Sequence, residues 1–271
     1  MERIKKALEK AQQQRQETAG QQSTTDQKRV EQIHNTDQIS YSKTRKIEVS
    51  EQLLKKNRIV AGLDDDPRAD LYKMLRTKVL QRMLLNKWNV LAVTSPSRGT
   101  GKSLTAINLA ISIAMDANYS VLLADLDLRR PCIHDYFGMP AEPGLSDYFS
   151  GEKTISELLV HPGLEKMVVL PAGRPIKRSS DLLSTPKMLE LADELKQRYP
   201  DRIVVVNLPP LLLTDDAMIY MPNVDACILV VAEGESSEDD IKKSIQMIDQ
   251  NKLIGTVLNK ADEVNLADDA D

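Results

Sequence analysis

The stretch VLAVTSPSRGTGKSLTAINLA occupies residues 90–110 and decides the predicted fold. It runs as an apolar strand, a glycine-rich turn and a helix, which is the context that a phosphate-binding P-loop requires. Gly99 and Gly101 let the backbone curl so that successive N–H groups face one anion, and the start of the helix adds partial positive charge. The stretch therefore predicts a phosphate site, although Pro96 stands at the first motif position, where glycine is usual.

The turn ends in two side chains with chemistry of their own. Lys102 can reach the β- and γ-phosphates of a nucleotide, and the Ser103 hydroxyl can be a ligand of Mg²⁺. The predicted nucleotide-binding residues of this segment are Ser97, Arg98, Gly99, Thr100, Gly101, Lys102, Ser103 and Leu104. A chance Gly-Lys-Ser in a loop is the alternative, and the flanking strand and helix argue against it.

Short apolar runs alternate with helical patterns through the rest of the chain. The predicted strands are Val90–Thr94, Val121–Ala124, Met167–Leu170, Ile203–Val206, Ala226–Val231 and Ile254–Leu258. Predicted helices between them include Lys187–Arg198 and Glu238–Asp249. This alternation predicts an α/β fold with a mostly parallel sheet that helices cover on both faces. Ligands of such sheets bind at the carboxyl ends of the strands.

Two carboxylates follow the second predicted strand. Asp125 and Asp127 lie two residues apart, so they share a side if the chain remains extended. Beside a P-loop, such a carboxylate can orient metal-bound water or accept a proton from an attacking hydroxyl. A pair of loop-capping aspartates is the alternative. Arg129 and Arg130 come next, and they can contact phosphates, contact a neighbouring subunit or form a solvated basic face.

A neutral amide stands where a third carboxylate is expected. The strand Ile203–Val206 leads to Asn207, at the position of a Walker B carboxylate. An amide can hydrogen-bond metal-bound water but has no charge, so we expect weaker Mg²⁺ binding and slower turnover. Asp215 and Asp216 follow closely and can either compensate for the missing charge or cap the next helix.

Composition excludes several classes of protein. The chain has 271 residues and a net charge of −4, which gives no general nucleic-acid footprint. Its two cysteines, Cys132 and Cys227, lack metal-ligand spacing and fit a reduced cytosolic protein. Because no apolar run approaches the roughly 18 residues of a transmembrane helix, any membrane association is expected through a partner or a surface helix.

The chain divides into four predicted parts. Residues 1–16 carry a narrow apolar stripe and predict an amphipathic helix, which either docks on a partner or membrane surface or is simply solvated. Residues 17–46 are rich in Gln, Thr, Ser and Asp and predict a flexible linker. Residues 47–260 form the predicted folded domain, and residues 261–271 form an acidic tail.

Taken together, the motifs resemble those of the bacterial tyrosine autokinases of capsule and exopolysaccharide synthesis, which are relatives of the MinD/ParA-type P-loop ATPases. The resemblance covers residues 45–260 and is carried by GTGKS, LLADLDLRRP, HDYFGMPAEPGLSDYFSG, VLPAG and VNLPPLLLTDDA. The segments MERIKKALEKA and RYPDRIVVVNLPPLLLT look most similar to the exosortase-associated subgroup.

This resemblance implies a cytoplasmic protein-tyrosine kinase that uses ATP and Mg²⁺ and phosphorylates neighbouring copies. It also implies association at the inner membrane with a polysaccharide chain-length regulator, and no nucleic-acid partner. The implied catalytic residues are Lys102, Asp125 and Asp127, and the implied metal ligands are Ser103, Asp127 and Asn207. Asp125 would assist the tyrosine hydroxyl. Asn207 departs from the family's aspartate, and Asn259 resembles the adenine-contacting position.

The family also carries a Glu/Arg/Arg pattern at three-residue spacing on a helix that docks subunits in a ring. Asp70, Lys73 and Arg76 occupy the matching positions and share one helix face, so the resemblance implies a homo-oligomer. An intrahelical row of ion pairs is the alternative. Lysine in place of arginine loses bidentate geometry, so a weaker ring is expected.

The expected phosphoacceptor is missing from its usual place. The family often ends in a tyrosine cluster, whereas residues 261–271 contain no tyrosine. The acceptor would then be another site, such as Tyr41, or another protein, because Tyr136 and Tyr148 are expected to be structural.

Two other functions remain open. A weakly catalytic or non-catalytic nucleotide-gated regulator of a membrane chain-length protein is favoured by Asn207 and by the tail. A ParA/MinD-type positioning ATPase is disfavoured, because Ser97 stands where such proteins carry a lysine.

Overall fold

One mixed β-sheet of eight strands organises the described residues of the computed structural model, which are 44–63, 65–198 and 201–261. The predicted N-terminal helix (1–16), nearly all of the predicted linker (17–46) and the predicted acidic tail after Ala261 lie outside the described residues.

Six of the eight strands appear where the apolar runs predict them, and the first and the fourth, of two residues each, were not predicted. In chain order they are β1 (Arg45–Lys46), β2 (Val90–Thr94), β3 (Ser120–Asp125), β4 (Val160–His161), β5 (Met167–Leu170), β6 (Arg202–Asn207), β7 (Ala226–Ala232) and β8 (Leu253–Asn259). Their spatial order is β1-β4-β5-β3-β6-β2-β7-β8, and only β4 and β5 pair antiparallel. The predicted α/β class with a mostly parallel sheet is confirmed. The described domain begins with β1, slightly before the predicted boundary at residue 47.

Ten α-helices connect the strands within the described residues. They are α1 (Glu51–Lys56), α2 (Arg68–Asn86), α3 (Lys102–Ala114), α4 (Ile133–Phe137), α5 (Leu145–Ser150), α6 (Ile155–Leu158), α7 (Ser179–Leu183), α8 (Pro186–Gln197), α9 (Asp216–Tyr220) and α10 (Glu238–Met247). The predicted helices at 187–198 and 238–249 correspond to α8 and α10. In this part of the chain, no helix combines the length and the apolar character needed to span a bilayer.

The sheet separates two apolar layers. All five residues of β2 are buried, and successive side chains point to opposite faces of the sheet. Leu91 and Val93 pack with Ile107 of α3 in one layer, whereas Val90 and Ala92 belong to the other layer, beside α8 and α9. Both faces of the sheet are therefore covered, which explains why its central strands are continuous apolar runs.

Strand register brings the polar strand ends together. Asp125, the last residue of β3, lies opposite Asn207, the last residue of β6. Asn207 in turn lies opposite Val93 of β2, just before the glycine-rich turn. The three motifs that the sequence places at separate strand ends therefore meet at the carboxyl edge of the sheet, as expected for this class.

A buried side chain ties the segment before α2 to the helix that follows the turn. Asn108 of α3 is completely buried, and its Oδ1 accepts hydrogen bonds from the backbone N–H groups of Val60 (2.8 Å) and Ala61 (2.9 Å). Its Nδ2 donates to the carbonyl oxygens of Arg58 and Leu104. The amide thus satisfies two backbone donors that would otherwise be buried without partners.

Replacing this amide is expected to destabilise the domain. Asn108→Ala leaves the two buried N–H groups without a hydrogen-bond acceptor and should lower the free energy of unfolding by about 3 kcal/mol. Asn118→Ala is the control, because Asn118 is exposed and bonds only to Asp116; its effect should stay within about 0.5 kcal/mol. Urea denaturation of both variants measures the difference, and similar losses would show that Asn108 does not tie the two segments together.

Candidate functional site

The glycine-rich turn has the conformation that phosphate binding requires. It connects β2 to α3, and Gly99 and Gly101 have φ values of 81° and 87°. Both lie in the left-handed region that glycine adopts without strain. A methyl group at Gly101 would also overlap the side-chain amide of Asn259. Both the backbone conformation and the lack of space therefore exclude a larger residue at this position. The first residues of α3 then present backbone N–H groups at the helix N-terminus.

A cavity of about 300 Å³ lies beside this turn. Six of the predicted nucleotide-binding residues line it, namely Ser97, Arg98, Gly99, Gly101, Lys102 and Ser103. Asp127 lines it too. Thr100, Leu104, Asn259, Asp125 and Asn207 are not among its lining residues. The sequence-predicted site thus separates into side chains that face the cavity and side chains that stand behind it.

Lys102 is almost completely buried and has three oxygen partners. Its Nζ donates to Asp127 Oδ2 at 2.9 Å, to Ser103 Oγ at 3.2 Å and to Asn207 Oδ1 at 3.3 Å. An ammonium group has three donors, so each can be engaged within the protein. A phosphate that binds Lys102 must therefore replace at least one of these partners.

Asp125 and Asp127 have different surroundings. The strand ends at Asp125, whose buried carboxylate accepts hydrogen bonds from the backbone N–H groups of Asp127, Cys132 and Ile133, at 3.0–3.2 Å, and from Asn207 Nδ2 at 2.9 Å. Burial raises the pKa of Asp125, against the opposing effect of these donors. Asp125 therefore closes the loop that carries Asp127, and only Asp127 faces the cavity.

Asn207 links the lysine to the buried carboxylate. It is completely buried, donates from Nδ2 to Asp125 Oδ1 and accepts at Oδ1 from Lys102 Nζ. An aspartate at this position would have no donor for Asp125 and would set a second carboxylate against it. The amide that replaces the expected Walker B carboxylate is thus an integrated part of the hydrogen-bond network.

Asp216 pairs with Arg129 and does not cap α9, and its compensation for the charge missing at Asn207 stays a prediction. Its completely buried carboxylate binds the guanidinium of Arg129 and accepts a hydrogen bond from Ser179 Oγ. It makes no side-chain cap bond to α9, and Asp215, at the N-cap position, makes none either. Asp215 Oδ1 lies 3.8 Å from Arg129 Nη2. Both aspartates therefore pair with Arg129.

Asn259 supports the turn from the neighbouring strand. At the end of β8, its Nδ2 donates to the carbonyl oxygen of Thr100 at 2.8 Å. The next residue, Lys260, forms an ion pair with Glu235, whose carboxylate lies near Gly99. The adenine contact remains a prediction, and the bond that the structure shows for Asn259 is to the turn itself.

Two of the cavity residues that were not predicted from sequence lie shortly after Asp127. Tyr136 of α4 lines the cavity, although it was expected to be structural. Cys132 also lines it, and its Sγ donates to Ser103 Oγ at 3.3 Å. The sequence feature that could have indicated them is their position a few residues after Asp127. Asp125 accepts hydrogen bonds from the backbone N–H groups of Cys132 and Ile133, which holds this segment near the turn.

The residues present fit a magnesium-bound nucleotide. Mg²⁺ in such sites is held by one or two carboxylates together with the substrate phosphates. The cavity supplies the Ser103 hydroxyl and the Asp127 carboxylate, and the glycine-rich turn supplies backbone donors. Across the described ranges, no group of three or more His, Cys, Asp or Glu could hold a metal by itself. The donor set therefore fits a metal that arrives with phosphate ligands.

The Cys132 thiol is expected to react slowly. Burial and the nearby Asp125 carboxylate raise its pKa from 9.0 to about 11. Since the thiolate is the reactive form, alkylation at pH 8 should be roughly a hundredfold slower than for a free thiol, and should accelerate about tenfold per pH unit until pH 11. Alkylation rates followed by mass spectrometry test this. Cys132→Ser is the control because Cys227 is buried, and rapid labelling at pH 8 would contradict the described burial.

Comparisons with known proteins show what the chain is similar to. The CbiA family model, described as the CobQ/CobB/MinD/ParA nucleotide binding domain, matches residues 91–269. The chain is 28% identical over 201 residues to the putative tyrosine-protein kinase CapB of Staphylococcus aureus, covering 72% of this chain and 87% of CapB. It is 31% identical over 225 residues to the putative tyrosine-protein kinase EpsB of Ralstonia solanacearum, covering 80% of this chain but only 29% of EpsB.

A solved structure has a similar fold. The kinase domain of the Escherichia coli tyrosine kinase ETK superposes with a TM-score of 0.71 at 27% sequence identity. The superposition covers 82% of this chain and 90% of that domain. The similarity therefore extends well beyond the glycine-rich turn, to most of the chain.

Proposed function

Because the chain belongs to the CobQ/CobB/MinD/ParA nucleotide-binding family, we propose that it is an ATP-dependent protein-tyrosine kinase that regulates exopolysaccharide biosynthesis or export. The observation that carries the proposal is the Lys102–Asp127 pair in a cavity lined by the glycine-rich turn. Relatives named tyrosine-protein kinases support the choice of reaction.

Different cavity residues would bind the nucleotide phosphates and the Mg²⁺ ion. The backbone of the turn and Lys102 would bind the nucleotide phosphates, while Ser103 and Asp127 would hold Mg²⁺ with Asn207 behind them. When bound, Mg²⁺ neutralises charge on the transferring phosphoryl group. Lys102 would exchange Asp127 and Asn207 for phosphate oxygens, which places its charge beside the reacting group.

The carboxylate that faces the cavity, where an acceptor hydroxyl would enter, is Asp127. Asp125 is expected from the family resemblance to assist that hydroxyl, yet its four hydrogen bonds are made inside the protein. We therefore assign Asp125 the positioning of Asp127 and of the loop. Asp127, which faces the cavity, would hold Mg²⁺ with one carboxylate oxygen and would accept the hydroxyl proton on the other.

A nucleotide-gated regulator is the second candidate, and Asn207 is the observation that favours it. Its amide removes one negative charge from the surroundings of the metal, since a carboxylate is usual at this position. The loss weakens Mg²⁺ binding and thereby the stabilisation of the transferring phosphoryl group. Such a protein would bind ATP and catalyse little transfer.

A single-turnover reaction with Mg-ATP and a tyrosine-bearing peptide separates the two candidates. A kinase should form phosphotyrosine, and Lys102→Ala should slow this by at least about a hundredfold, since one electrostatic stabiliser is removed. The variant Asn207→Asp restores a carboxylate at this position and tests whether its absence limits phosphoryl transfer.

Nucleotide binding without transfer, restored to transfer by Asn207→Asp, would replace the kinase by the regulator. Absence of nucleotide binding would contradict both.

We further propose that the chain forms a homo-oligomer through the face of α2 that carries Asp70, Lys73 and Arg76. Lys73 Nζ pairs with Asp70 Oδ1 at 2.8 Å, and both side chains are more than half exposed, so they can change partners. Leu71 and Met74, beside them, are also about half exposed. Arg76 instead donates to the carbonyl oxygen of Ser112 on α3, which supports an anchoring role.

Charge reversal on this face should weaken assembly. Lys73→Glu places two like charges together and is expected to reduce self-association at least about tenfold. Lys242→Glu is the control, because Lys242 also forms an exposed intrahelical pair, with Glu238 of α10. Light scattering over a concentration series measures the mass. Equal behaviour of the two variants would exclude this face.

The proposed partner is a membrane polysaccharide chain-length regulator, which would hold the chain at the cytoplasmic side of the inner membrane. This assignment rests on the family resemblance. Cosedimentation of the chain with vesicles that contain such a regulator, compared with empty vesicles, tests it, and equal retention by both would count against it.

A further inference from the structure

Arg129 is a second basic side chain of the cavity that the proposed mechanism leaves without a role. It lies two residues beyond Asp127, lines the same cavity, and is about one-third exposed (34%). A charged side chain that is held in place at a ligand cavity is a candidate for recognition of the ligand.

Hydrogen bonds hold two of the three guanidinium nitrogens of Arg129. Nε donates to both carboxylate oxygens of Asp216, at 3.1 and 3.3 Å, and Nη2 donates to Asp216 Oδ1 (3.2 Å) and Ser180 Oγ (3.3 Å). Nη1 makes no hydrogen bond within the described ranges. Because a guanidinium has five N–H donors in a rigid fork, fixing Nε and Nη2 leaves the two N–H groups of Nη1 for another partner.

Asp216 keeps this orientation rigid. Its carboxylate is completely buried, at the first residue of α9, and Ser179 of α7 donates a hydrogen bond to it. A buried carboxylate needs such partners to offset its desolvation. Arg129 is therefore held jointly by α7 and α9, which reduces the entropy lost when a ligand binds to it.

The charges around the cavity favour an anion. Lys102 is paired with Asp127, and Arg129 with Asp216, whereas Arg98 and Arg130 line the cavity with no side-chain partner in the part of the chain that the structure describes. The cavity lining thus carries more positive than negative charge. Donors on a guanidinium match the paired oxygens of a phosphate or carboxylate.

We propose that Arg129 is a further anion-binding side chain of the cavity, beside the turn and Lys102, and that Asp216 is its positioning residue. The anion is an oxygen-bearing group, either the terminal phosphate of the nucleotide or a carboxylate beside the acceptor tyrosine. This inference rests on the proposed nucleotide-dependent function.

The test uses binding alone, without turnover. Arg129→Lys keeps a positive charge beside Asp216 but has one nitrogen in place of three, so it loses the fork. Asp216→Asn keeps the shape of the positioning residue without its charge. Arg178→Lys is the matched control, because Arg178 is exposed and pairs with Asp181 on α7. Thermal unfolding establishes that each variant is folded.

Calorimetry then measures the affinity of each variant for ADP, for a non-hydrolysable ATP analogue, and for acidic and neutral tyrosine peptides. Arg129→Lys and Asp216→Asn are expected to lose about tenfold for one anionic ligand, the value of a hydrogen bond to a charged group. Loss for the ATP analogue but not for ADP assigns the terminal phosphate. Loss for the acidic but not the neutral peptide assigns the acceptor carboxylate.

The inference is overturned if no ligand loses affinity, or if ADP and the ATP analogue lose it equally while the peptides are unaffected. A purely structural role for the Arg129–Asp216 pair predicts that result, together with a lowered unfolding temperature. Failure of the unaltered chain to bind either nucleotide would instead reject the proposed function, and the peptide measurements would still decide the role of Arg129.

Discussion

The site depends on a buried chain of hydrogen bonds that joins three strand ends. Lys102 donates to Asn207, and Asn207 donates to Asp125. Asp125 in turn accepts from backbone donors of the loop that carries Asp127. These groups lie at the carboxyl ends of β2, β3 and β6 and are buried where water cannot compensate for a lost partner. The position of the loop, the lysine and the cavity wall is therefore determined by one network.

The amide at Asn207 gives this network a directional order. It accepts from a cation on one side and donates to an anion on the other, which neither a carboxylate nor an aliphatic residue can do. With aspartate there, Asp125 and the new carboxylate would need a shared proton or a cation between them, as in other close carboxylate pairs. The amide completes the hydrogen bonds between Lys102 and Asp125. It also reduces the negative charge that a bound metal ion would meet.

The strands and the glycine-rich turn could be predicted because their signals are local. The apolar run Val90–Thr94 and the glycines at 99 and 101 carry their own conformational preference, and the structure confirms the fold that they indicate. That Asp127 faces the cavity while Asp125 is buried behind it could not be predicted, because it depends on where the chain turns after β3. The cavity position of Tyr136 and the pairing of Asp216 with Arg129 could not be predicted for the same reason. Their partners come from distant segments, and neither spacing nor residue type encodes those contacts.

The Lys102–Asp127 pair also constrains what can bind. Both groups are nearly buried and each satisfies the other at 2.9 Å. A ligand that engaged only one would leave the other charge buried and unpaired, which costs several kcal/mol. A phosphate gives Lys102 a new anion, and a divalent cation gives Asp127 a new partner. Metal and phosphate together therefore replace the internal pair without a stranded charge. The Lys102–Asp127 ion pair would therefore favour a magnesium nucleotide over either component alone.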